Sequence, residues 1–142
     1  MELSKKQIDV LSWIVIAGII LLLLFRLDTA NLMRANRELA FEAVQIADSF
    51  LDGNLSASEA ADKIEALVDE MRRPRRGRGE NRAERDNIAL ITNVQFLMGR
   101  LRDENPLPPP GRPATPQAEI VLSARNSVAR GLNISERSNI SR

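Results

Sequence analysis

The hydrophobic pattern of this chain changes character four times along its length. From residue 10 to residue 25 there are sixteen positions without a charge, and fourteen of them are apolar. Such a run has no polar face, so it does not suit the surface of a small water-soluble domain. With snorkelling ends it is long enough to cross a bilayer as a helix. Sixteen residues rise about 24 Å, less than a hydrocarbon core of about 30 Å. Ile8 and Leu27 are therefore drawn into the span, which becomes residues 8–27, and Asp9 and Arg26 reach toward the headgroups. Trp13 lies a turn inside the first end, where an interfacial indole is common. A cleaved signal peptide is the competing reading, because Lys5 and Lys6 precede the run. Its cleavage site would need small residues at the last and third-last positions. Ala30, Thr29 and Ala35 instead place Asp28, Leu27 and Met33 at the third-last position. The sequence thus favours an uncleaved signal anchor after a short tail at 1–7.

Beyond the run the pattern becomes amphipathic. No Pro or Gly occurs between Gly18 and Gly53, so the first helix is predicted to continue to about residue 52. Leu32, Asn36, Leu39, Ala43, Ile46 and Phe50 recur at spacings of three and four, a short heptad seam with one polar member. Leu32, Asn36, Leu39, Ile46 and Phe50 are the candidate helix-packing residues. Two uses compete for them. Two chains could pair along the seam as a stalk, Asn36 fixing register. Alternatively, the helix packs on its own domain, which the wider apolar face with Ala40, Ala47 and Leu51 favours.

A second helix is predicted at 57–72. Ser56 and Glu59 have capping-box spacing, and Ala57, Ala60, Ala61, Ile64, Leu67, Val68 and Met71 form its stripe. Pro74 ends it. The short connection to the first helix predicts an antiparallel hairpin. A third helix at 83–103 carries Ile88, Leu90, Ile91, Val94, Leu97, Met98 and Leu101, and it needs burial against that hairpin. Residues 105–117 hold six of the seven prolines and read as an extended spacer. A weaker helix is expected at 118–132, with Ile120, Val121, Ala124, Val128 and Leu132 on a loose stripe, followed by a disordered tail at 133–142. The predicted fold class is all-α: one N-terminal transmembrane helix continuing into a three-helix, at most four-helix, bundle or hairpin over 28–104.

Composition removes several chemistries. There is no Cys and no His among 142 residues, so disulfides, thiol nucleophiles, imidazole bases and the common zinc sites are absent. Four Phe, one Trp and no Tyr leave little for stacking on bases. The net charge of +1 conceals segregation. Glu59, Asp62, Glu65, Asp69 and Glu70 crowd the second helix; their spacing along its polar side reads as a solvated face rather than a metal or acid–base site. Immediately after come Arg72, Arg73, Arg75, Arg76, Arg78, Arg82 and Arg85, the candidate anion- or partner-binding cluster around an exposed loop at 73–82. Arginine forks suit phosphates, and Gly77 and Gly79 free the backbone to wrap an anion. The competing reading is a solvated loop that balances the acidic helix. No aromatic residue interrupts the cluster, which argues against nucleic acid as its ligand.

Three N-x-S sequons begin at Asn54, Asn133 and Asn139, and PxxP matches at 106–109 and 110–113 fall in the proline-rich stretch; both patterns have low specificity. No nucleotide loop, nucleophile elbow or metal-ligand spacing is found, so no catalytic set, cofactor or metal site is assigned. The expectation is a non-enzymatic membrane-anchored interaction, scaffold or assembly subunit with a protein partner. It is expected to be a monomer or a weak homodimer. The alternative is an anion-binding membrane protein acting through the Arg-rich loop. Lys5 and Lys6 with the amino terminus balance Arg26, Arg34 and Arg37, so charge counting does not orient the span. The signal-anchor layout places the N-terminus in the cytoplasm and residues 28–142 outside.

Overall fold

The computed structural model describes residues 5–72, 82–103, 116–138 and 140. Among them the chain is all-helical, with four helices and no strand: α1 Lys5–Leu51, α2 Ala57–Glu70, α3 Arg82–Arg102 and α4 Gln117–Leu132. The chain divides into two compact units, Met1–Leu32 and Met33–Arg142.

The first unit is the apolar stretch of α1. Its large side chains from Val10 to Leu24, and Leu27, are 47–72% exposed. An 18-residue window there has a mean hydropathy of 2.6 and none of it is buried. By length and composition this helix can cross a membrane.

In the second unit the remainder of α1 joins α2, α3 and α4 around one core. Contacts set the directions. Asn36 of α1 bonds to Arg72 just past α2, so α1 and α2 run antiparallel. Asn36 also meets Asn87 near the start of α3, while Arg102 at the far end of α3 pairs with Asp62 and Glu65 early in α2. Gln117 Nε2 donates to Leu101 O at 3.1 Å, and Gly131 lies against Leu90, so α4 returns along α3. The result is an up-down-up-down bundle.

The ends of these helices follow local chemistry. Gly53, at φ +78°, closes α1: its N–H bonds to Phe50 O and that of Asn54 to Ser49 O, a Schellman pair that needs a left-handed residue at this point. Ser56 then opens α2. Its Oγ accepts the Glu59 N–H at 3.2 Å while Glu59 Oε2 accepts the Ser56 N–H at 3.0 Å, completing the expected capping box. These bonds favour the charged carboxylate and hold Glu59 below the usual glutamate pKa, the backbone bond from Ser56 contributing most.

The core is built from Ile64, Leu90, Ile91, Leu97, Leu101, Val44, Val94, Val121 and Val128 over a floor of small residues. Ala40, Ala43, Ala47, Ala60 and Ala61 are all fully buried and let the helices approach closely. The buried line of α1 is therefore Asn36, Ala40, Ala43, Val44, Ala47 and Leu51. Leu39, Ile46 and Phe50 of the predicted seam sit at its flanks, partly buried against the core, and Leu32 is half-buried. The seam lies slightly off the centre of the face that packs.

Of the three- and four-helix alternatives, the described residues form four helices: α4 is a full member of the bundle, burying Val121, Ala124, Arg125, Val128, Ala129 and Leu132, so the unit does not end at residue 104. One expectation is corrected. The tail expected to be disordered over 133–142 is instead held against the bundle at 133–138 and 140. Asn133 takes a left-handed conformation (φ 63°), Ile134 N–H bonds to Ala129 O, and Ile134 and Ile140 rest on the core. Hydrogen bonds from Arg125 and Asn126 to the tail backbone supply what its polar composition could not.

Candidate functional site

The first residue of the Arg cluster, Arg72, is held through its backbone by a buried polar contact. Asn36 and Asn87 are 2% and 5% exposed inside an apolar bundle, where an unpaired amide would be costly. Their bonding is complete. Asn36 Nδ2 donates to Arg72 O at 2.8 Å and to Asn87 Oδ1 at 2.9 Å, and Asn36 Oδ1 accepts the Arg72 N–H at 3.2 Å. Asn87 Nδ2 in turn donates to Met33 O at 3.4 Å. One amide therefore grips both peptide groups of Arg72, the residue at which the Arg-rich loop begins. No buried side-chain polar atom among the described residues lacks a partner.

This grip fixes where the cluster starts. Arg72, Arg82 and Arg85 are exposed, and Arg82 approaches Asp86 at 3.9 Å. Arg73, Arg75, Arg76 and Arg78 lie outside the described residues. On α1, Arg34 pairs with Glu38 at 3.2 Å and Arg37 donates to Leu132 O at 2.9 Å. The acids of α2 divide: Asp62 and Glu65 are bridged by Arg102, while Asp69 and Glu70 are exposed. Among the described residues no three metal-ligating side chains converge. Of the spacer predicted at 105–117, residues 105–115, with the PxxP matches at 106–109 and 110–113, lie outside the described residues, while Pro116 is the N-cap of α4 and Gln117 its first residue.

A second polar cluster was not anticipated from the sequence. Arg125, with its side chain 9% exposed, meets Asp48 in a two-pronged bond, Nε to Oδ1 at 3.0 Å and Nη2 to Oδ2 at 2.9 Å. Its Nη1 reaches Asn126 Oδ1 at 3.1 Å and Ser135 O at 2.9 Å. Arg137 from the tail approaches the same carboxylate, Nη1 to Asp48 Oδ1 at 3.3 Å, and bonds Asp52 at 2.5 Å. The bond to Asp52 is the chief reason that the Arg137 guanidinium is held even more firmly protonated than usual. Asn126 repeats the grip of Asn36: its Nδ2 donates to Arg137 O at 2.8 Å and its Oδ1 accepts the Arg137 N–H at 2.9 Å. Only the i to i+4 spacing of Asp48 and Asp52 was visible in the chain; their partners are 77 and 85 residues away.

Fold and polar clusters define a four-helix unit whose first helix, α1, begins in a long apolar stretch. No family model, curated protein or solved structure matches the chain.

Proposed function

We propose that this protein is a single-pass membrane-anchored interaction or assembly subunit, non-enzymatic, with residues 8–27 in the bilayer and the bundle presented to a protein partner. The observation that supports the anchor most is the unbroken exposure of large aliphatic side chains from Val10 to Leu24. Taking about 25 cal/mol for each Å² of apolar surface removed from water, these side chains together favour a hydrocarbon environment strongly. The orientation follows from the signal-anchor layout: N-terminus in the cytoplasm, residues 28–142 outside. Fusing a reporter active only in the cytoplasm to Arg142 tests it. A silent reporter is expected, and a strong signal reverses the topology. Crosslinking in membranes followed by pull-down of the full chain tests the partner claim; recovery of the chain alone at every crosslinker length would count against it.

A second reading is supported by the grip of Asn36 on Arg72. Asn36 is nine residues after Leu27 in the chain, so the start of the Arg-rich loop is bonded to a residue close in sequence to the proposed span. A loop so tethered suits anionic headgroups better than nucleic acid. Co-sedimentation of the full chain with anionic and neutral vesicles over a salt series discriminates the two readings. Anion-selective, salt-sensitive binding lost on neutralising Arg75, Arg76 and Arg78 favours the loop.

A further inference from the structure

We propose that the seam between α1 and α4 is a peptide-docking cleft whose ligand is the segment 133–140, and that it takes this segment from a second copy of the chain as well as from its own. The contacts have the format of peptide recognition, in which main-chain bonds supply affinity and side-chain seats supply selectivity. Asn126 reads both peptide groups of Arg137, and Arg125 reads the carbonyl of Ser135. Asp48 and Asp52, one turn apart on α1, receive the guanidinium. Ile134 and Ile140, three residues to either side of Arg137, rest against the core. The ligand is thus a segment with a central arginine and two flanking aliphatic residues.

Three observations make the segment a removable ligand. The buried core of α4 is made by Val121, Ala124, Val128, Ala129 and Leu132, all before the tail, whereas Ile134 and Ile140 are only partly buried. Arg125 keeps its two-pronged bond to Asp48 independently of the tail, so the floor of the cleft holds its shape when the tail leaves. The hinge is one residue: Asn133 is the single non-glycine with positive φ among the described residues, and rotation there swings 134–140 away without unwinding α4. Every copy carries both cleft and ligand. Exchange between two copies is therefore reciprocal and gives a closed two-fold pair. The attached tail competes at an effective concentration in the mM range, so exchange is weak until its own contacts are loosened.

The test uses the full chain in mild detergent and a fluorescent peptide with the sequence of residues 133–140, followed by anisotropy. The Arg137→Ala chain, whose own tail is loosened, is expected to bind the peptide at least tenfold more tightly than the unaltered chain. Adding Asp52→Ala to that chain, or placing Arg137→Ala in the peptide, is expected to reduce binding at least tenfold. No saturable binding to an Arg137→Ala chain of unchanged helicity overturns the proposal. Should that chain not fold, Ile140→Ser takes its place with the same expectation, and failure of that folded chain to bind also overturns it. A scrambled peptide of equal charge binding equally well would show acid–base attraction alone, and would also overturn it.

Discussion

Asn36→Ala removes three hydrogen bonds at the point where α1, α3 and the end of α2 meet. Two of them are made to the peptide groups of Arg72, an exposed residue whose N–H and C=O regain water once the amide is gone. Each such bond contributes about 0.5–1.5 kcal/mol net. The third leaves Asn87 Oδ1 without its donor at a site 5% exposed, for which the penalty is about 1–3 kcal/mol. The sum, allowing for water at Arg72, is a loss of roughly 2–4 kcal/mol. Asn36→Asp keeps the size and the acceptor but turns both donations into oxygen facing oxygen, toward Arg72 O and Asn87 Oδ1. It is expected to cost at least as much as Ala, although it is the more conservative change. Urea unfolding of the full chain in mild detergent, followed by helical circular dichroism, measures both. With a slope of about 1–3 kcal/mol per M urea, the midpoint falls by roughly 1 M or more. A change below about 0.5 kcal/mol for both variants would refute the reasoning. It would mean that the Asn36–Asn87–Arg72 junction does not hold the bundle together.

Other expectations follow from the same packing. Ile64→Ala, fully buried, should cost about 3–4 kcal/mol, and Leu67→Ala, 8% exposed, about 2–3 kcal/mol by the same unfolding assay. Asp48→Asn strands Arg125 and should cost about 2–3 kcal/mol, given the partial exposure of Asp48; Asp48→Leu with Arg125→Met should recover most of it in a double-mutant cycle. Ser56→Ala should cost about 1 kcal/mol. Because Glu59 is held below its ordinary pKa, its contribution is present above the usual glutamate range and is lost as pH falls through the lowered value. An acid titration should therefore narrow the gap between the unaltered chain and Glu59→Gln, and a gap that widens with acid would contradict this.

The elements that could be read from the chain are those whose cause is local. The apolar run, the capping box at Ser56 and Glu59, the stop at Gly53 and the stripe of α3 each depend on residues within a few positions, and each lies where the pattern placed it. What could not be read depends on distant partners. Ala40, Ala43, Ala47 and Leu51 were readable as part of the packing face of α1, but not that they, rather than Leu39, Ile46 and Phe50, form its centre, because small side chains give a weak hydrophobic signal but the closest helix approach. The burial of Asn87 has no local signal, because its complement, Asn36, is 51 residues away. Arg125 weakened the apparent stripe of α4 by placing a charge on its buried side, and Asp48 neutralises it only once the chain is folded. The tail has the composition of a free terminus, and what binds it is the backbone-reading amide of Asn126. The candidate Arg cluster was legible as charge, and the grip that fixes its starting point was not.

The most direct test of the membrane-anchored bundle is fractionation of cells expressing the full chain, with an alkaline carbonate wash of the membranes. The unaltered chain is predicted to stay with the pellet through the wash, and Ile19→Arg with Leu22→Arg, two charges in the middle of the span, to move it to the supernatant. An unaltered chain that is released by the wash, or found in the soluble fraction from the start, would contradict the account.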